Sequence, residues 1–224
     1  MSQSAFRLFT LLFLFIAGTG TAAELPQTSH DGLQLVPSKE VQVLYVRPGA
    51  TLAPYKRVAL LDCYVAFRKN WQRDQSTSGT RVTAKDMEGI KTALAQGFRE
   101  SFTTELQKGG YEMVSEAGSD DVLVLRPAIV NLDITAPDVM TAGRSRTFAT
   151  SAGSMTLYLE VFDGASGEIL ARVLDPEAAY EDVRLTWQNS VTNRAEAKRI
   201  LERWARLART ALDRARTAPA TAAR

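Results

Sequence analysis

The chain places apolar residues at helical spacing in two stretches. The first repeat runs through Met87, Ile90, Leu94, Phe98, Phe102 and Leu106. An apolar residue at every third or fourth position predicts an amphipathic helix. Thr83 and Asp86 precede it at the spacing of a capping box, with Asp in place of the usual Glu. Gly109 and Gly110 follow, and glycine readily adopts the left-handed conformation that ends many helices. The sequence therefore predicts both ends of this helix.

The second stretch lies near the C-terminus and has the clearest helical pattern in the chain. Its apolar positions are Ala197, Ile200, Leu201, Trp204, Leu207, Ala208, Ala211, Leu212 and Ala215. Asn193 and Glu196 form a second pair at capping spacing, so we expect this helix to begin after Asn193. Residues 177–191, just before it, show no pattern that distinguishes helix from strand.

Strand patterns occupy much of the chain between and before these helices. Residues 58–67 (VALLDCYVAF) have apolar side chains at both odd-numbered and even-numbered positions, which is typical of a central strand covered on both faces. Residues 111–114 predict a short strand directly after the first helix. A longer strand follows, and its predicted dry side consists of Ala128, Val130, Leu132 and Ile134. Pro127 indicates a bulge or an edge there, because proline has no amide hydrogen to donate.

The last two predicted strands form a hairpin. Residues 155–161 alternate apolar and polar side chains, and residues 163–167 (DGASG) are typical of a turn. Residues 169–174 then supply the second strand. Two strands joined by so short a turn are expected to pair antiparallel.

The order of elements predicts an α+β fold with two layers, a mainly antiparallel sheet with two amphipathic helices on one face. Residues 24–56 are interrupted by prolines and glycines, so we expect an extended N-terminal arm that lies on the domain. A single α+β domain then spans residues 57–216. Residues 217–224 have nothing to bury and are expected to be a disordered tail.

Residues 1–23 have the three parts of a secretory signal peptide. Arg7 supplies positive charge, residues 8–17 are almost entirely apolar, and residues 18–23 are all small. The apolar run is too short to span a bilayer, which needs about 20 residues. We expect cleavage after Ala22 or Ala23 and a periplasmic or secreted protein. Because neither cut leaves a cysteine at the new N-terminus, a lipid anchor is not expected.

Composition narrows the classes of function. Hydrophobic residues make up 45% of the chain and charged residues 23%, which is typical of a globular protein. The formal net charge of +2 implies neither nucleic acid nor an acidic substrate. Cys63 is the only cysteine, so no internal disulfide can form. We expect Cys63 to be a small buried hydrophobe in a strand rather than a reactive thiol.

The side chains that most enzymes use are scarce. His30 is the only histidine, so a nucleophile activated by a histidine base is nearly excluded. Without a second His or a Cys partner, His30 is expected to lie in a solvated turn rather than in a metal site. Asp120 and Asp121 are typical of neighbouring acids at a turn, whereas a glycosidase needs two carboxyls that face each other across a cleft. We therefore expect no catalytic residue, no cofactor, no metal and no enzymatic activity.

Two surface features are candidates for partner binding. The first is a pair of long loops, residues 68–81 and 137–153, because loops of this length are often functional. Trp71 lies among cations in the first loop, and Trp and Arg dominate interface hot spots. The second is the basic face of the last helix, which could dock on anionic lipid or an acidic protein. The candidate residues are Arg68, Lys69, Trp71, Arg73, Arg144, Arg146, Phe148, Arg199, Arg203 and Arg206. Mobile loops and a solvated helix face are the alternatives.

Three segments also carry a family resemblance. They are SHDGLQLVPSKEVQVLYVRPGATLAPYKRVALL, VFDGASGEILARV and AKRILERWARLARTALDR, in this order. Together they resemble domain-of-unknown-function family 3313, a bacterial family whose members are mostly described as lipoproteins. The resemblance covers nearly all of the mature chain, but the lipid-bearing cysteine is absent here. It implies no catalytic residue.

These observations indicate an exported, non-enzymatic protein of the cell envelope that serves as an interaction or assembly module. The expected partner is an envelope protein or an anionic membrane surface, and not nucleic acid. An alternative is a periplasmic carrier of a small apolar ligand, which a deep apolar pocket between the sheet and the helices would favour. A hydrolase is a third hypothesis, and it would need convergent carboxylates in a cleft. The identity of the partner and the oligomeric state stay open.

Overall fold

Alternating apolar and polar side chains build one large mixed sheet. The computed structural model describes residues 25–77, 81–134, 147–149, 153–178, 186–188 and 190–217. The helices in these residues are α1 (Trp71–Thr77), α2 (Ala84–Lys108) and α3 (Ser190–Thr217). The strands are β1 (Gln34–Leu35), β2 (Val43–Val46), β3 (Arg57–Leu60), β4 (Tyr64–Phe67), β5 (Glu112–Val114), β6 (Val122–Ile134), β7 (Thr147–Ala149), β8 (Gly153–Asp163), β9 (Ile169–Ala178) and β10 (Thr186–Gln188).

The main sheet has the strand order β1-β2-β9-β8-β6-β3-β5, and β4 also pairs with β6. β2, β9, β8 and β6 pair antiparallel with their neighbours in that order. β3 is parallel to both β5 and β6, and β4 is parallel to β6. The predicted α+β fold with a mainly antiparallel sheet is therefore confirmed. The predicted hairpin is formed by β8 and β9, in which Tyr158 lies opposite Leu174.

α2 and α3 lie side by side on one face of the sheet and run in the same direction. Gly97 of α2 faces Leu201 of α3, and further along both helices Glu105 binds Arg209. The core between helices and sheet includes Leu94, Phe98, Phe102, Leu106, Ile200, Leu201, Trp204, Leu123, Leu125, Ile129, Met155, Leu157 and Leu159. Within this core the rings of Phe98 and Phe102 stack with centroids 3.9 Å apart. None of the described helices is long and apolar enough to cross a membrane.

The ends of α2 follow the local sequence signals. The Asp86 amide donates to the Thr83 hydroxyl at 3.2 Å, and the Thr83 amide donates to the Asp86 carboxylate at 2.8 Å. Both halves of the predicted capping box are present. Gly110 has a φ of 77°, a left-handed conformation that glycine adopts without steric cost. The predicted start of α3 is wrong, because the helix begins at Ser190, before Asn193.

A buried acid ties α3 to the sheet. Asp175 of β9 is 4% exposed and accepts a hydrogen bond from Nε1 of Trp204 at 2.9 Å. Arg203 donates to the same carboxylate at 3.0 Å, and the Gln42 amide donates to its other oxygen at 3.0 Å. A buried carboxylate needs such partners to offset its lost hydration. This cluster therefore joins the last helix, the sheet and the segment before β2.

The single central strand predicted for residues 58–67 is wrong, because two strands, β3 and β4, replace it. Both pair with β6, since Val58 lies opposite Leu123 and Val65 lies opposite Ile129. Pro127 of β6 lies where β3 has ended and β4 has not yet begun. A residue without an amide hydrogen costs little at such a gap. The expected bulge or edge at Pro127 is thus a break in the neighbouring strand instead.

Cys63 lies in this break and not within a strand, which corrects its predicted position. The side chain is partly buried and packs against the helix-covered core. Burial raises the pKa of the thiol to about 12, so the thiolate is disfavoured. The environment is that of a small hydrophobe rather than a reactive nucleophile.

The predicted dry side of β6 is correct for only part of the strand. Leu125, Ile129 and Leu132 are all buried in the core. In a regular strand Ile129 and Leu132, three positions apart, would lie on opposite faces. Asn131 has a φ of 53°, and the pairing with β8 shifts register around it. Such a bulge moves every later side chain to the other face. Ala128 and Val130, predicted to be on the dry side, therefore lie on the opposite face of the sheet.

Residues 25–56, expected to form an arm, contribute to both the edge and the surface of the sheet. β2 pairs with β9, and β1 pairs with β2. Leu33 is fully buried against Val43, Tyr45 and Ile169, on the face opposite α2 and α3. The Tyr45 hydroxyl also donates to the Pro26 carbonyl at 2.8 Å. We call the face opposite α2 and α3 the open face, and the N-terminal segment covers part of it.

Several sequence predictions lie outside the described residues. These are the signal peptide at residues 1–23 and all but the first residue of the tail predicted for residues 217–224, since Thr217 is the last residue of α3. Within residues 137–153, expected to be a loop, the structure describes β7 and the first residue of β8. β7 pairs antiparallel with β10, with residue 148 opposite residue 187.

Candidate functional site

The predicted interface anchor is buried. Trp71 begins α1, a helix within the segment expected to be a loop, and is 1% exposed. Its ring stacks on Phe67 with centroids 4.2 Å apart, and Nε1 donates to the Ile134 carbonyl at 3.3 Å. The expectation that Trp71 presents its ring to a partner is therefore wrong in this structure. Its large apolar surface stabilises the junction of β4, β6 and α1 instead.

Arg68 lies close to Trp71 and makes ion pairs within the chain. Its guanidinium donates to Asp133 and to Asp74, both at 2.6 Å. The hydrogen bond from Arg68 lowers the pKa of Asp74. Lys69 and Arg73 are exposed nearby, so the structure does group the cations of this segment. Arg144, Arg146 and the side chain of Phe148 lie outside the described residues.

Acidic side chains of the protein match much of the basic charge on α3. Arg203 binds Asp175 and Glu177, and Arg199 donates to Glu196 at 2.9 Å. Further pairs join Lys198 to Glu202, Arg209 to Glu105 and Asp213, and Arg214 to Glu40. Arg206 is exposed on the helix surface. Docking of this helix face on an anionic partner stays a prediction.

The open face carries a row of ionic side chains across three strands. Glu160 of β8 lies opposite Arg126 of β6 and Arg172 of β9. Its carboxylate accepts from Nε of Arg126 at 2.8 Å and from the Arg172 guanidinium at 3.0 Å and 3.2 Å. The Tyr158 hydroxyl also donates to it at 2.7 Å. Arg172 in turn binds Asp31 of the N-terminal segment, so this ionic row fixes that segment on the sheet.

These contacts shift the acids of the row toward their charged forms. The Arg172 hydrogen bonds hold the pKa of Asp31 well below its ordinary value. For Glu160, burial acts to raise the pKa, but the hydrogen bonds from its three partners outweigh burial and lower it. Both carboxylates are therefore ionised at neutral pH. His30, next to Asp31, is exposed in the same turn, as its sequence context predicted.

A second row on the open face is less covered. Tyr64, Ala128, Tyr158 and Leu174 lie side by side on four neighbouring strands. Tyr64 is 66% exposed, and the other three are partly exposed. We call these four residues the open-face patch. Arg126 lies beside the patch, over the ring of Phe162 at 4.7 Å from its centroid.

A groove lies on the other side of the sheet, between α2 and α3 and above the ends of β6 and β8. Its volume is about 840 Å³, within the size range of small-molecule sites. Gly89, Ala93 and Gly97 line it along α2, and Ala197 lines it along α3. The groove is open beside Gly89, which has no heavy atom within 4 Å of an added Cβ, whereas at Gly97 the Leu201 side chain of α3 lies 3.3 Å from that position. The floor of the groove is formed by Ile90, Leu94, Leu132, Met155, Ile200 and Leu201.

Sequence reasoning did not single out the residues of the open-face patch or the groove. The alternation in β8 placed Tyr158 on its polar side, but its neighbours on other strands depend on register. Gly89, Ala93 and Gly97 recur at intervals of one helical turn on α2. That repeat was the available signal for a helix face with room beside it.

Comparison with known proteins identifies a family and weak structural likenesses. The family model described as "Protein of unknown function (DUF3313)" matches residues 27–208. No curated protein matches the chain. A PelC dodecamer from Paraburkholderia phytofirmans is 13% identical with a TM-score of 0.35, covering 71% of this chain and 96% of that chain. A minor lipoprotein from Acinetobacter baumannii is 11% identical with a TM-score of 0.30, covering 71% of this chain and 91% of that chain. At these scores neither likeness carries an argument about this chain.

Proposed function

The chain belongs to the DUF3313 family, as its sequence resemblance predicted, and from this premise we propose that it is an exported, non-enzymatic protein of the cell envelope. The signal-peptide pattern of residues 1–23 supports export. Asp31, Glu160 and Asp175 have structural partners within the chain, which supports binding rather than catalysis. The protein then acts through its surfaces, as an interaction or assembly module.

The observation that carries this proposal is the open-face patch. Neighbouring apolar and aromatic side chains that stay partly exposed on a sheet face are typical of a surface that a partner covers. Tyrosine suits such a surface because it offers a large rigid ring and a polar tip. We infer that another envelope component packs on Tyr64 and its neighbours in the patch.

Site-specific crosslinking in cells tests this surface. Photoreactive benzoylphenylalanine is placed at position 64 of the full chain, and at position 92 as a matched control. Thr92 is exposed on α2, on the opposite side of the sheet. The expected result is one dominant adduct with an envelope protein from position 64 and none from position 92. The substitution Tyr158→Ala in the position-64 protein should weaken that adduct.

Three outcomes would overturn this assignment. The absence of adducts from position 64 removes the evidence for a partner there. Identical adducts from positions 64 and 92 indicate unspecific contact. An adduct from a third probe at position 206, but not from position 64, assigns binding to the basic face of α3 instead.

The groove favours a second function, the carriage of a small apolar ligand. Its apolar floor lies between the sheet and the helices, where a carrier would hold its cargo. Gly89 has no heavy atom within 4 Å of an added Cβ, so Gly89→Leu should fill the groove without a clash at that carbon. The neutral probe N-phenyl-1-naphthylamine should bind the wild-type protein saturably. Its affinity should fall about tenfold in Gly89→Leu and stay unchanged in Thr92→Leu. Equal affinity in all three proteins would contradict a site in the groove.

A further inference from the structure

The groove between α2 and α3 has two chemically different halves. The apolar half lies over the sheet and is lined by Ile90, Leu94, Leu132, Met155, Ile200 and Leu201. The polar half continues along α2 toward its C-terminus and is lined by Glu100, Ser101, Thr104, Glu105 and Lys108. Along α2 the lining extends from Lys85 to Lys108, which is a length of about 35 Å for an α-helix. The groove is therefore long and changes from apolar to polar along its length.

Charged groups in the polar half already have partners in the protein. Glu105 accepts from Lys108 at 2.7 Å and from Arg209 at 3.3 Å. Glu100 accepts from the Gln96 amide at 2.9 Å. A charged head group would meet charge of its own sign in this half, from Glu100 and Glu105 for an anion and from Lys108 for a cation.

Charges around the apolar half are also matched. Lys198 pairs with Glu202 at 3.8 Å, and Asp133 binds Arg68. The pKa of Asp86 is lowered by its hydrogen bonds with Thr83 and by the nearby charge of Lys85. The rim thus carries both signs of charge and favours neither an anionic nor a cationic ligand.

Two side chains in the polar half carry uncharged hydroxyl groups. Within the part of the chain that the structure describes, the side chains of Ser101 and Thr104 have no hydrogen-bond partner in the protein, and they stay open to solvent, since Ser101 is half-buried and Thr104 is exposed. Each hydroxyl can donate one hydrogen bond and accept others. Uncharged hydroxyls on a ligand can replace water on both side chains without disturbing the neighbouring ion pairs.

We propose that the groove binds a single-chain amphiphile with an uncharged, hydroxylated head. The hydrocarbon chain lies in the apolar half, where it removes apolar surface of both molecules from water. The head lies in the polar half and exchanges hydrogen bonds with Ser101 and Thr104. This inference deepens the carrier function proposed above and rests on it.

Competition against the bound neutral probe tests the ligand class. Three competitors share a twelve-carbon chain: monododecanoylglycerol, dodecanoate and dodecyltrimethylammonium. We expect monododecanoylglycerol to displace N-phenyl-1-naphthylamine at a concentration about tenfold below that of either charged competitor. The double variant Ser101→Ala/Thr104→Val should bind the probe normally and lose this preference. Thr103 is next to these residues but does not line the groove, so Thr103→Val is the matched control and should keep the preference.

The outcomes separate the ligand class from the carrier function. Equal displacement by all three competitors overturns the hydroxylated head, while the carrier function stands. A preference that survives in the double variant overturns the roles of Ser101 and Thr104. A wild-type protein that does not bind the probe saturably overturns the carrier function and this inference with it.

Discussion

Two adjacent residues of β8 are buried to the same degree on opposite faces of the sheet, by different chemistry. Leu159 and Glu160 are adjacent on β8, and each is 4% exposed. Leu159 faces the core under α2 and α3, among other apolar side chains. Glu160 faces the open side and is held by Arg126, Arg172 and Tyr158. At this pair of positions the chemistry of the contacts, and not the degree of burial, distinguishes the two faces.

This difference determines how each face responds to change. Apolar contacts are non-directional, so their contribution depends mainly on the area and volume that they fill. A buried carboxylate depends on particular donors, and removal of one donor leaves a charge with fewer partners. Substitutions on the two faces should consequently differ in magnitude and in their dependence on pH.

The largest loss should come from the helix-covered face. Phe98 is fully buried and stacks on Phe102, so Phe98→Ala creates a cavity. We expect the free energy of unfolding to fall by about 4 kcal/mol. Urea unfolding followed by circular dichroism measures this loss. A decrease below about 1 kcal/mol would mean that the helices do not seal a close-packed core.

The ionic row should give the next largest loss. Arg172→Met leaves Asp31 and Glu160 without a shared donor, and we expect a loss of about 3 kcal/mol. Arg126 also binds Glu160, but its side chain is 57% exposed, so Arg126→Met is the matched control with a smaller expected loss. Urea unfolding of both variants measures the difference. An Arg172→Met protein as stable as the wild type would contradict this account of the open face.

The ionic row should also make stability depend on pH in acid. The ordinary pKa values are 3.8 for Asp31 and 4.5 for Glu160, and both are lowered in the folded protein. The unfolded chain therefore takes up protons first as the pH falls, and the contribution of these acids declines below about pH 4.5. Asp121 adds to the same trend, because its hydrogen bonds with Arg57 lower its pKa to about 2.

Urea unfolding between pH 7 and pH 3 tests this dependence. The wild-type protein should lose stability steadily as the pH falls through the acid part of this range. Arg172→Met should show a flatter profile, because its two acids titrate closer to their ordinary values. Parallel profiles for the two proteins would assign the acid sensitivity to other groups.

The smallest loss should come from the start of α2. Thr83→Ala removes the hydroxyl that accepts from the Asp86 amide, and we expect a loss of about 1 kcal/mol. Thr83→Ser keeps the hydroxyl and should retain most of the stability. The comparison of these two variants by thermal unfolding distinguishes loss of the cap from loss of the methyl group. Equal losses in both would mean that the cap contributes nothing measurable.

Elements defined by nearby residues could be predicted from the sequence. The capping box of α2 needs only Thr83 and Asp86, and the β8–β9 hairpin needs only a short turn between two alternating strands. The break between β3 and β4 could not be predicted in this way, because it lies opposite Pro127 of a distant strand. Trp71 was misjudged for a similar reason, since Ile134, which accepts its indole hydrogen bond, lies 63 residues away in the chain.

The candidate sites were harder to predict than the fold. The sequence indicated basic side chains on α3, but the acids that pair with them come from β9, α2 and the N-terminal segment. The open-face patch depends on the register of four strands, and the groove depends on how closely α2 and α3 approach. Each is a property of several elements together.

The sequence by itself determined the family, the α+β class, both ends of α2 and the existence of α3, because apolar periodicity and capping act over a few residues. Tertiary structure alone decided which side chains meet across the sheet. A single bulge at Asn131 reverses the faces of β6, and pairing register places Glu160 between two arginines. Such choices depend on contacts between residues far apart in the chain, whose combined free energy no local pattern contains.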